Sequence, residues 1–176
     1  MDLTDSMGSY IRPVKNSLQQ IVAQLSTLSN RFTVQLRIGI VAYRDHSDKD
    51  ILETFDFTGD IAVASQNITK LRDMGGGDYP EAVVDGFCAA ADFHWTDDAY
   101  HFMILIGDAP PHGYNNDGTP NPKDHCKCQR DFFQEFHRVR QRHKIISVYT
   151  IACRKKIEPL WADRKSTRLN SSHRIR

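Results

Sequence analysis

His101-Phe102-Met103-Ile104-Leu105-Ile106-Gly107-Asp108 is the stretch that decides the fold. A continuous apolar run with β-branched residues predicts a strand buried on both faces. An acid follows it at once, and an acid there costs desolvation free energy unless something pairs with it. Asp108 therefore marks a site as well as a strand end. Downstream, a polar loop over 107–127 leads to a helix with Phe132, Phe133, Phe136 and Val139 turned inward, and 145–152 reads as another buried strand. Upstream, Met7, Tyr10, Ile11, Val14, Leu18, Ile21, Val22, Leu25 and Leu28 recur at three- and four-residue steps, one face of an amphipathic helix. Apolar residues then alternate from Val34 through Leu36, Ile38 and Ile40 to Ala42, predicting a strand over 32–43, with a shorter one over 53–57. Ile61, Ala64, Ile68 and Leu71 form a helical stripe ended by Gly75-Gly76-Gly77. Pro80 suits the first turn of a helix carrying Val83, Val84, Phe87, Cys88 and Ala91.

Strands alternating with helices predict an α/β domain with a mostly parallel central sheet and helices on both faces. In such sheets ligands collect beyond the carboxyl ends of the strands. Three loops fall there, over 2–6, 75–81 and 107–113, all rich in oxygen donors or glycine.

Composition narrows the function. The chain has 176 residues, 40% hydrophobic and 26% charged, with a net charge of +1, the profile of one ordinary folded domain. The longest apolar run is far short of the roughly twenty residues a membrane helix needs, so no membrane span is expected. A near-neutral charge predicts no nucleic-acid partner. Residues 163–173, Asp163-Arg164-Lys165-Ser166-Thr167-Arg168-Leu169-Asn170-Ser171-Ser172-His173, match the translation of a common sequencing-library adapter codon for codon. The native domain is accordingly expected over 1–162, with 163–176 an adapter-derived tail. Without that tail the count is 18 basic against 21 acidic residues. No secretory signal precedes Asp2, and four cysteines too irregular for a disulfide scaffold lean towards a reducing, cytoplasmic setting over an extracellular one while leaving the compartment open.

Asp2-x-Thr4-x-Ser6-Met7-Gly8 resembles the DxSxS/DxTxS signature of von Willebrand factor type A domains, where it forms the metal-ion-dependent adhesion site. Gly75-Gly76-Gly77-Asp78-Tyr79-Pro80-Glu81 resembles the second loop of that fold, and 104–113 the third. With Ala42-Tyr43-Arg44-Asp45-His46 between them, the order fits the subgroup found beside alpha-type protein kinases and in hemicentin-like matrix proteins. The resemblance implies a Rossmann-like fold truncated at both ends, its first strand missing. It implies an Mg2+ site, or one for Mn2+ or Ca2+, in which Thr4 and Ser6 bind directly, Asp2 directly or through water, and Asp108 through water. It also implies a protein ligand that presents an Asp or Glu to the ion.

The chemistry agrees with the resemblance. Mg2+ prefers six oxygens, keeps several waters and uses few carboxylates, so two hydroxyls and one or two acids leave it positive and open to an incoming carboxylate. The departure lies in the second loop. Adhesion-type members place a threonine where this chain has Gly77, and Asp78 is expected to supply an oxygen instead.

Plainer roles compete at each position. Asp2 and Ser6 could cap the first helix, Gly75-Gly76-Gly77 could merely end a helix, and Asp78 with Glu81 could cap the next one. His125-Cys126-x-Cys128 suggests a soft-metal clip, but its spacing fits no standard zinc pattern. No phosphate-cradling loop or catalytic triad order is present, and an acid-initiated phosphotransferase would need a second Asp where Thr4 stands. The expected function is a non-enzymatic, cation-dependent protein-binding module of a larger protein. The alternatives are a regulatory domain of an alpha-type kinase or, behind it, a Mg-dependent phosphotransferase.

Overall fold

A computed structural model describes residues 1–32 and 34–161. The expected tail over 163–176 lies outside the described residues, as does Ala162. A single 3-10 turn, Asp5–Met7, opens into α1 (Gly8–Phe32), followed by β1 (Ile38–Tyr43), β2 (Leu52–Thr58), α2 (Ile61–Lys70), α3 (Val83–Ala91) and β3 (His101–Gly107). The chain continues through α4 (Phe132–Arg142), β4 (Ile145–Ala152) and a 3-10 turn at Lys155–Ile157 to α5 (Glu158–Trp161). This is an α/β fold, as the alternation of patterns predicts.

The strands form two pairs. β3 and β4 run parallel, with Ile106 opposite Ile151, whereas β1 and β2 are antiparallel, with Tyr43 opposite Leu52. Strands β1 and β2 are joined by only a short turn, which suits antiparallel pairing, since a parallel crossover needs a dozen residues or more. The two pairs are linked by Met1–Leu3. Asp2 N donates to Ile106 O at 2.8 Å, Leu3 N to Tyr43 O at 2.9 Å, and Tyr43 N to Met1 O at 2.9 Å. Asp2 is thereby fixed between the carboxyl ends of β1 and β3.

Side chains on these strands alternate between two cores. Ala42 and Ile106 pack with Leu3, Met7, Val14 and Leu71 beneath α1, while their neighbours Tyr43 and Leu105 pack with Val83, Phe87, Phe136 and Val148 beneath α3 and α4. That two-residue period places helices on both faces. Several local expectations differ. α1 runs on to Phe32, and Val34 is 59% exposed on the connection to β1, so the alternating pattern overshoots the strand at its start. β3 is not buried throughout: Phe102 and Ile104 are exposed, and burial is complete only from Leu105, where Met1–Leu3 and the helices cover it. α3 begins at Val83 with Ala82 as its cap, so Pro80 lies before the helix and not in its first turn.

Candidate metal centre

The three loops meet through their backbones. Met74 N donates to Leu3 O and Asp5 N to Gly75 O, each at 2.9 Å, tying the first loop to the second. Glu81 N donates to Pro110 O at 3.0 Å and His112 N to Glu81 O at 3.2 Å, tying the second to the third. Four of the five expected site residues converge where the loops join. Asp2 Oδ1 accepts from Thr4 N at 3.0 Å and from Thr4 Oγ1 at 2.9 Å. Thr4 Oγ1 lies 3.1 Å from Ser6 Oγ, and Ser6 Oγ donates to Asp108 Oδ1 at 2.7 Å.

Neither plain capping role holds. Thr4, not Asp2 or Ser6, stands at the helix start, and it makes no side-chain cap bond. α2 ends at Lys70 with Leu71 as its cap, well before the glycines, and α3 receives no side-chain cap from Asp78 or Glu81. The polar atoms at the loop junction are therefore not absorbed by helix ends.

Glu81 is the residue that sequence reasoning missed. It is 2% exposed and lies beside Thr4 and close enough to Asp2 for their charges to interact. Burial, reinforced by the charges of Asp2 and Asp45, pushes its carboxyl up to about 9. Burial likewise raises Asp2 to about 6, opposed by the amide of Thr4 and aided by the charge of Asp108. Asp2 and Asp108 are fully buried, and Asp2 Oδ2, Glu81 Oε2 and Asp108 Oδ2 have no hydrogen-bond partner. Asp108 Oδ2 does lie 2.8 Å from Arg154 Nε, an ion pair without hydrogen-bond geometry. Three buried carboxylates, two of them with an unpartnered oxygen, beside two hydroxyls, form an oxygen-only donor set suited to a hard divalent cation. The residues present fit the hard divalent ion that the resemblance implies. No local pattern singles Glu81 out from the other polar residues of the second loop, because backbone bonds to Pro110 and His112 set its place.

Asp78 requires a correction. It is exposed and falls with Asp45, His112 and Asp124, and burial followed by the charge of Asp45 raises its carboxyl. The loop geometry explains why. A side chain at Gly77 would point at Ser47, with Oγ 2.2 Å from the Cβ position, so this stretch faces the loop after β1. Gly76 is the position that faces the centre, its Cβ site 3.0 Å from Thr4 Cβ, and its φ of +92° suits glycine. From the second loop it is Glu81, not Asp78, that lies buried beside Thr4 and Asp2.

A second polar group lies beside the first. His112 is held at both nitrogens, Nε2 by Asp45 Oδ1 at 2.9 Å and Nδ1 by Asp124 Oδ1 at 2.8 Å. Burial alone would lower its pKa, but the hydrogen bonds to Asp124 and Asp45 outweigh that and raise it. Ser47 and His112 in turn hold Asp45 well below the usual carboxylate range despite its burial. The His46 ring stacks on His112 with centroids 4.5 Å apart. With Asp78 and Lys127, these residues line an open cleft of about 310 Å³.

Comparison with known proteins gives partial matches. No family model matches the chain. An ariadne-like RING finger protein of Acanthamoeba polyphaga mimivirus is 36% identical over 116 residues, which is 66% of this chain and 11% of that protein. An alpha-protein kinase of Dictyostelium discoideum is 28% identical over 114 residues, 64% of this chain and 18% of that protein. The chain spans well under a quarter of either relative's length. The similarity is confined to a small part of each. Among the described residues no helix is long and apolar enough to cross a membrane.

Proposed function

We propose that this chain is a von Willebrand factor type A-like module that binds a divalent cation, Mg2+ or a close substitute, and through it a protein partner presenting an Asp or Glu. The observation that carries this reading is the set of buried carboxylates of Asp2, Glu81 and Asp108 around the hydroxyls of Thr4 and Ser6, with Asp2 Oδ2 and Glu81 Oε2 left without a partner. A bound ion would offset the mutual repulsion of the acids. Arg154 already offsets part of the Asp108 charge, which favours a positive face towards an acidic partner.

The relatives carry different names over the part they share with this chain. One is named as a RING finger protein and the other as an alpha-protein kinase, and this segment is a minor part of each. The interaction reading rests on the buried oxygen cluster, and any kinase chemistry is placed outside this chain. The kinase relative favours one second reading, in which the module regulates an attached alpha-type kinase domain. The test is capture of immobilised acidic-loop peptides by the full chain in Mg2+. Asp2→Ala and chelation should each abolish capture, and Asp78→Ala should leave it intact. Unchanged capture by the Asp2→Ala protein would overturn the reading.

A further inference from the structure

His46, which lines the cleft beside the candidate metal centre, belongs to a donor set of different chemistry. His46 follows β1, Asp85 lies in the first turn of α3, and Cys126 sits on the loop before α4. Their ligand atoms meet at one point: His46 Nε2 to Asp85 Oδ2 is 2.8 Å, Cys126 Sγ to His46 Nε2 is 3.7 Å, and Cys126 Sγ to Asp85 Oδ2 is 3.5 Å. We infer that His46, Asp85, Cys126 and Cys128 form a zinc site when the two cysteines are reduced.

Geometry supports it first. With Zn–S about 2.3 Å and Zn–N or Zn–O about 2.0 Å, a tetrahedral site has sulfur-to-nitrogen and sulfur-to-oxygen edges of about 3.5 Å. Both sulfur edges already lie near that length. The nitrogen-to-oxygen edge, now a hydrogen bond, has to open by about half an ångström to reach its tetrahedral value. The His46 side chain is 4% exposed, and its Nδ1 has no partner, so its polar contacts run through Nε2 to Asp85 and Cys126. Stacking on His112 holds the ring plane. His112 itself is excluded as a ligand, because Asp45 and Asp124 occupy both of its nitrogens.

The fourth donor is Cys128, joined to Cys126 by a disulfide. A bridge between positions two apart closes so short a loop that it constrains little of the unfolded chain, so it is a poor structural staple. A sulfur in a disulfide is no thiolate, and bridge and zinc are therefore alternative states of the same pair. Reduction by a phosphine transfers the oxygen of one water to phosphorus, and that water's two protons go to the two sulfurs. Zinc then displaces both thiol protons. Two thiolates and one carboxylate leave the complex with one excess negative charge. Lys127 lies beside it, its Nζ donating to His46 O at 3.0 Å. The spacing of the cysteines alone argues against zinc, since His46 and Asp85 reach the site only through the fold.

The test is titration of the phosphine-reduced full chain with Co2+ and then Zn2+. The expected result is one equivalent of Co2+ giving thiolate charge-transfer and tetrahedral visible bands, both erased by one equivalent of Zn2+. His46→Ala and Asp85→Asn should each weaken zinc binding at least about tenfold, and the oxidised chain should bind none. Absence of tetrahedral bands in the unaltered reduced chain would overturn the inference, whatever the variants do. Affinity in both variants equal to that of the unaltered reduced chain, or undiminished binding by the oxidised chain, would overturn it too. Mg2+-dependent stabilisation uses none of these residues and should persist in both variants, so the two sites succeed or fail separately.

Discussion

Ser6 Oγ donates to Asp108 Oδ1 at 2.7 Å, joining residues 102 positions apart. That contact brings the first loop and the loop after β3 to one point, and it sets the distance at which an ion could be shared between them.

Ser6→Ala leaves a buried carboxylate oxygen without its donor, which costs about 2 kcal/mol in the metal-free protein. It also removes one oxygen from the cation site, so the Mg2+-dependent rise in melting temperature should shrink. Thermal denaturation with and without the ion checks both effects.

Glu81 should give the metal-free protein a specific pH response. Burial and neighbouring acids raise its pKa in the folded state from the ordinary 4.5 to about 9. The folded protein then binds more protons than the unfolded chain between those values, so stability is greatest below about 4.5 and falls as pH rises to about 9. Glu81→Gln should flatten this slope. At neutral pH, Mg2+ uptake should release a proton from Glu81, measurable as a buffer-dependent enthalpy in titration calorimetry.

Asp78→Ala should leave Mg2+ affinity within about twofold of the unaltered chain, because Asp78 belongs with Asp45 and His112. A tenfold loss, in the same titration, would place it in the cation site.

Much of this arrangement is legible in the sequence. Asp108 follows from its place at the end of an apolar run, and Asp2, Thr4 and Ser6 from the resemblance of their spacing to a DxTxS signature. Glu81 is harder to see, since its inward direction depends on backbone bonds to Pro110 and His112 that no local pattern encodes. Asp78 looks equivalent in the sequence, but the orientation of Gly77 towards Ser47 turns that part of the loop away. The overlong β1 has a different cause. Alternation at Val34 and Leu36 suits a strand, yet β2 ends at Thr58, opposite Ile38, and gives the earlier residues no partner.

His112 clamps two loops through a pair of acids, and His112→Ala should cost about 3 kcal/mol by leaving Asp45 and Asp124 unbridged. Its pKa is raised in the folded state, so the protonated clamp contributes fully below the ordinary 6.5 and is lost as pH rises through the higher folded value. Chemical denaturation across that range should show the loss in the unaltered chain and not in the variant.

Mn2+ binding followed by electron paramagnetic resonance tests the cation site most directly. The account predicts one Mn2+ per chain, displaced by Mg2+ and lost in Asp108→Asn, with the folded state of the variant confirmed by circular dichroism. Absence of binding at millimolar Mn2+, or full retention in Asp108→Asn, would contradict it.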